Sequence, residues 1–177
     1  MKFIINILKS LHRLLLLKDS QEKRIKYLRR QGVRIGKNCL IDTMFFSTEP
    51  YLIEIGDHAR IAGGTLFITH DGSVSCFPEE VNGGIFGKIK VGNNVFIGNN
   101  SIILLNTSIG NNCIIGAGSV VRGKFPENSV IIGNPAKVVL KMSMQRFLYL
   151  QNPNMLKTQN LPDSEKSIIL KKHFGIE

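Results

Sequence analysis

A six-residue repeat runs through the middle of the chain and leaves few folds open to it. The windows IGKNCL (35–40), IGDHAR (55–60), IAGGTL (61–66), VGNNVF (91–96), IGNNSI (97–102), ILLNTS (103–108), IGNNCI (109–114) and IGAGSV (115–120) each open on an aliphatic residue. Each carries a small or slim residue at its fifth place: Cys39, Ala59, Thr65, Val95, Ser101, Thr107, Cys113 and Ser119. A period of six fits neither an α-helix nor a hairpin meander, but it fits short flat strands joined by tight corners, three to a coil. Side chains alternate along a strand, so the first and fifth places point inward and the second and sixth outward. The fourth place holds Asn38, His58, Gly64, Asn94, Asn100, Asn106, Asn112 and Gly118. Asn and Gly accept a positive φ at low cost, which puts the corners there.

Two stretches interrupt the repeat, residues 42–52 (DTMFFSTEPYL) and residues 69–88 (THDGSVSCFPEEVNGGIFGK). The second is rich in turn formers and is expected to leave the coil as a protruding loop of about 70–88. Irregular segments of that length inside a regular solenoid usually carry function. The expected organisation is an N-terminal helical arm over 1–32, a parallel β-helix over 33–139 and a tail over 140–177 with short helices at Lys141–Leu150 and Ser164–Phe174.

Charge separates the arm from the coil. Residues 1–30 hold nine Lys/Arg against two acids, whereas residues 31–140 hold eight against eight. No zinc-finger, helix-turn-helix or aromatic RNA platform accompanies the basic arm, so no nucleic-acid partner is expected. Residues 3–17 (FIINILKSLHRLLLL) are interrupted by Lys9 and Arg13 and are too short to span a bilayer. They suit an amphipathic helix that packs on protein or rests on a membrane surface, with residues 1–30 as the candidate contact. Cys39, Cys76 and Cys113 are scattered and odd in number, which favours a reducing cytoplasm, with or without a peripheral hold on the inner membrane.

His70 stands apart from the other histidines because it lies where the hexads end and the excursion THDGS begins. A hydroxyl is a poor nucleophile until its proton is removed, and an imidazole can take that proton near neutral pH and return it to a leaving group. The break FITHDG and the segment IGAGSVVRGKFPENSVIIGNPAKVV (115–139) resemble the hexapeptide-repeat acyltransferases, and within them the capsular and lipopolysaccharide sugar O-acetyltransferases. Parallel crossovers are normally right-handed, so the hand comes from this resemblance, which implies a left-handed parallel β-helix.

The resemblance further implies that acetyl-CoA is the co-substrate, that no metal is needed, and that His70 is the general base acting without a covalent intermediate. It places a supporting carboxylate at Glu54, with Asp71 as the alternative, and coenzyme contacts at Asn99, Ala117, Arg122, Gly123 and Lys137. It implies a sugar or polysaccharide-precursor acceptor, an antibiotic or a nucleotide-sugar amine being alternative acceptors, and a homotrimer with sites between neighbouring prisms. The outward pairs Phe96/Ile114 and Ile102/Val120 would line such contacts. A solenoid serving only as a binding module is the competing, non-enzymatic expectation.

Overall fold

A computed structural model describes residue 11 and residues 15–77, 79–80 and 82–176. Most of the amphipathic stretch 3–17 lies outside the described residues. Among the described residues there are seventeen short strands: β1 Arg34–Ile35, β2 Leu40–Ile41, β3 Phe45–Phe46, β4 Ile53–Ile55, β5 Arg60–Ile61, β6 Leu66–Ile68, β7 His70–Asp71, β8 Ile85–Phe86, β9 Ile89–Val91, β10 Val95–Ile97, β11 Ile102–Leu104, β12 Thr107–Ile109, β13 Cys113–Ile115, β14 Val120–Val121, β15 Lys124–Phe125, β16 Ser129–Gly133 and β17 Ala136–Lys141. They form three parallel sheets, β1-β4-β9-β12-β15, β2-β5-β10-β13-β16 and β3-β6-β11-β14. The chain visits the three in turn. β17 folds back antiparallel on β16 and closes the far end of the second sheet.

Corners fall where the fourth hexad place puts them. Asn38, His58, Asn94, Asn100, Asn106 and Asn112 have φ between 53° and 62°, and Gly64 and Gly118 have φ of 73° and 69°. The first places, among them Ile55, Ile61, Ile97, Ile103 and Ile115, are buried. All eight fifth-place residues are buried as well. Their polarity is explained by the corners they face: Thr65 Oγ1 and Ser101 Oγ donate to the Gly98 carbonyl, Thr107 Oγ1 to Val121 and Ser119 Oγ to Gly116. Each hydroxyl thus finds a backbone carbonyl acceptor within the coil, as a buried donor must. The second place needs glycine at close coil contacts: a Cβ on Gly98 would lie 2.5 Å from the Ala117 nitrogen.

Paired positions in β10 and β13 are one 18-residue coil apart, as Val95 with Cys113. Across the large excursion β4 pairs with β9, Ile53 with Ile89, a step of twice that length. The excursion therefore consumes one coil's worth of chain and returns in register. By contrast, the early stretch 42–52 scarcely interrupts the coil. It supplies β3, whose Phe45 pairs with Leu66, and a 3₁₀ turn at Pro50–Leu52. The hexad pattern is hidden there by large inward residues, Met44 and Phe46, the latter stacked on Phe67 with centroids 4.8 Å apart.

Helix α1, Gln21–Arg30, is capped by Ser20 and seals the first coil's open edge. Gln21 Oε1 accepts from the Ile41 nitrogen, Arg24 Nη1 donates to the Ile41 carbonyl, and Arg29 donates to the carbonyls of Ile35 and Gly36. Without these partners that strand edge would be free to pair with another chain. The chain divides at Ser143 into two units. The second holds most of α2, Met142–Leu150, and α3, Asp163–Phe174, which ends on Gly175 in the left-handed conformation. Cys39, Cys76 and Cys113 are all free thiols.

Candidate active site

β7 leaves the third sheet's edge and pairs antiparallel with β8, His70 opposite Phe86 and Asp71 opposite Ile85. This two-stranded ribbon holds the imidazole at the corner where the third sheet passes to the first. The His70 side chain is 41% exposed.

Its Nδ1 lies 3.0 Å from Glu49 Oε2, with Ser47 Oγ at 3.3 Å. Two hydroxyls hold the carboxylate: Thr69 Oγ1 donates to Oε2 at 2.7 Å and Thr48 Oγ1 to Oε1 at 2.6 Å. Burial works against the Glu49 charge, but the hydrogen bonds from Thr48, Thr69 and His70 outweigh it and bring the carboxyl down to about 2. An ionised carboxylate only accepts, so Nδ1 donates and the lone pair sits on Nε2. Among the described residues Nε2 has no hydrogen-bond partner. His70 itself lines an apolar groove of about 370 Å³, together with Phe45, Leu66, Ile68, Ser47 and Thr48.

Glu54, expected to support the histidine, is engaged elsewhere. It projects from β4 on the outer face of the first sheet, 2.8 Å from Arg34 Nη2 and 4.0 Å from Lys90 Nζ, in the register that pairs these three residues. Sequence reasoning missed Glu49 because the stretch holding it reads as a break. Counting 21 residues per coil from Phe45 to Leu66, as the register does, carries Glu49 onto His70. Asp71 turns inward on its own loop, its Oδ1 accepting from the Ser73 nitrogen, and the charge of Arg122 reaches it.

The expected coenzyme contacts fall in three places. Asn99 and Ala117 stack in one column at the corner between the second and third sheets, where the Gly118 nitrogen donates to the Asn99 carbonyl. Arg122 and Gly123 lie across the third sheet, at the corner that also carries His70; Gly123 has φ of 113° and its carbonyl accepts from the Ser108 nitrogen. Lys137 is exposed on β17, opposite Ile132. One chain thus brings Arg122 and Gly123 to His70's corner and leaves Asn99 and Ala117 on the other edge of the sheet. No group of three His, Cys, Asp or Glu able to hold a metal ion occurs among the described residues. No described helix is long and apolar enough to cross a membrane.

Residues 88–123 match the family model for the bacterial transferase hexapeptide (six repeats). Protein CapG of Staphylococcus aureus is 42% identical over 154 residues, which cover 83% of this chain and 87% of that protein. The chain belongs to the hexapeptide-repeat acyltransferases. A second relative of this transferase is the putative lipopolysaccharide biosynthesis O-acetyl transferase WbbJ of Escherichia coli K12, 33% identical over 67% of this chain and 55% of that protein. Among solved structures, a maltose O-acetyltransferase from Clostridium difficile 630 superposes with a TM-score of 0.60 at 31% identity, covering 77% of this chain and 84% of that one. The enzyme is an acetyltransferase, and its prism is the family's left-handed parallel β-helix.

Proposed function

We propose that this acetyltransferase moves an acetyl group from acetyl-CoA to a hydroxyl of a sugar destined for a surface polysaccharide, with His70 as the general base. The reading is carried by one observation: His70 is anchored at Nδ1 by Glu49, has no partner at Nε2 among the described residues, and lines an apolar groove. Nε2 takes the proton of the acceptor hydroxyl as its oxygen attacks the thioester carbonyl. The tetrahedral intermediate then collapses, the C–S bond breaks, and the imidazolium returns the proton to the departing thiolate. Glu49 keeps the ring in the useful tautomer and steadies its transient positive charge, as an orienting carboxylate does in other bases.

The coenzyme is assigned to Asn99, Ala117, Arg122, Gly123 and Lys137, two of them basic and suited to its phosphates. Because Asn99 and Ala117 lie on one edge of the third sheet and Arg122 and Gly123 on the other, a second prism laid along that sheet would complete the site, and a homotrimer supplies one at each edge. An outward apolar row, Phe45, Leu66, Ile102 and Val120, runs across the same sheet and supports that packing. The basic arm 1–30 fits a peripheral hold on the inner membrane from the cytoplasmic side, near lipid-linked glycan precursors. A sugar hydroxyl is favoured as acceptor by the O-acetyl transferase named among the relatives.

Mass spectrometry of surface glycans from cells with and without the protein tests the acceptor. Loss of one acetyl group per repeating unit is expected. Unchanged glycans, with the protein expressed and its reaction running on another acceptor in vitro, would overturn it.

A further inference from the structure

Phe86 is an unexplained residue. It sits in a strand of only two residues, both of them large, apolar and exposed, and the residue is 54% exposed. No part of the prism's core includes it. Its position is nonetheless fixed from two sides. Across the ribbon it is the registered partner of His70, and its ring lies over Gly84, where an added Cβ would come 2.6 Å from Phe86 Cε2. The Phe86 and His70 rings have centroids 6.3 Å apart and planes inclined at 57°. At that separation the two rings are neighbours in contact, so an exposed apolar ring stands directly beside the base.

A pyranose suits an exposed aromatic ring placed beside a base. One face of the sugar carries C–H bonds that pack on an aromatic ring, while its hydroxyls lie around the rim, where a base beside the ring reaches them. The ribbon is also the part of the chain that departs from the repeat, so an acceptor-specific residue placed there leaves the coenzyme positions of the coils untouched.

We propose that Phe86 is the acceptor platform, stacking on the sugar's apolar face and holding one hydroxyl toward His70 Nε2. Gly84 is its positioning residue, since only a residue without a Cβ lets the ring lie where it does. The proposal rests on the sugar-acceptor reading above and adds the residue that selects the acceptor.

The test uses the full-length enzyme, acetyl-CoA, and methyl glycosides of galactose, glucose and N-acetylglucosamine, with thiol release as the readout. For the glycoside that the wild type acetylates best, Phe86→Ala raises the acceptor KM about threefold to tenfold. The KM for acetyl-CoA stays within twofold, and Phe86→Tyr restores the acceptor KM. Gly84→Ala, which displaces the ring while leaving it in the protein, raises the acceptor KM in the same direction. Because the chain has no tryptophan, Phe86→Trp adds a single fluorophore whose emission changes on titration with that glycoside and not with methanol. An unchanged acceptor KM in Phe86→Ala, a loss confined to kcat or to acetyl-CoA, or an altered assembly on a sizing column with acceptor KM intact would each overturn the proposal. A wild type that acetylates none of the glycosides but does acetylate an amine would remove the sugar reading itself, and this proposal with it.

Discussion

Glu49 Oε2 and His70 Nδ1 are 3.0 Å apart although 21 residues separate them, because the first coil passes directly beneath the second at that corner. The dyad is therefore a product of coil stacking, and its carboxylate is anchored by hydroxyls from both coils, Thr48 below and Thr69 above.

The pH dependence of stability follows from Glu49. Its folded-state pKa, about 2, lies below the ordinary glutamate value of 4.5. A depressed carboxyl contributes stability that is complete above its unfolded pKa and fades as pH falls through the folded one. Glu49→Gln should therefore melt below the wild type at pH 7, with the gap narrowing between pH 4.5 and pH 2. Thermal melts of both proteins at pH 7, 4 and 2.5 check it; a gap that stays constant down to pH 2.5 contradicts it.

Thr69 supplies one of the carboxylate's two hydroxyl donors from a fully buried position. Thr69→Val keeps the shape and removes the donor, at a cost of about 1 kcal/mol of stability. The carboxylate is then less firmly held, and kcat is expected to fall about threefold to tenfold by analogy with other supporting partners. Denaturant midpoints and steady-state kinetics on one preparation separate the two effects.

Corner residues test the fold directly. Asn106 has φ of 62°. Replacement by Ala, which pays for the left-handed conformation, should cost about 1–2 kcal/mol, and replacement by Gly distinctly less. Urea midpoints that rank Ala above Gly at this site would count against the corner assignment.

Ile102 and Val120 pair in adjacent strands and form one half of the third sheet's outward apolar row. Glu at both positions should dissociate the proposed trimer on a sizing column while leaving the β-sheet circular dichroism of the prism intact. Activity is expected to fall with it, because the coenzyme positions proposed above lie on both edges of that sheet. An unchanged elution volume would assign the row to another purpose.

Much of this architecture is legible in the residue order, and the reason is geometric. A coil of three identical edges repeats its demands every six residues, so the aliphatic first place, the slim fifth place and the Asn or Gly corner all recur in phase. Inward Ile97 and Ile103 and the positive φ of Asn100 between them can be read that way. His70 is legible for the opposite reason, since it stands where the pattern stops. Glu49 is not, because Phe46 replaces the expected aliphatic residue and the coil beneath His70 looks like a break. Once the count is lost there, the nearest carboxylate in a recognisable hexad, Glu54, takes its place, and only the register shows it paired with Arg34 on the polar sheet. Phe86 escapes as well: its meaning lies in a cross-strand pairing that closes over a turn-rich loop.

The most direct test of the account is a single substitution measured two ways, His70→Ala with acetyl-CoA binding followed by calorimetry and turnover by thiol release. Turnover is expected to fall by about 10²–10⁴ while the affinity for acetyl-CoA remains that of the wild type. A variant that binds the coenzyme and still turns over at the wild-type rate would show that another group takes the acceptor's proton.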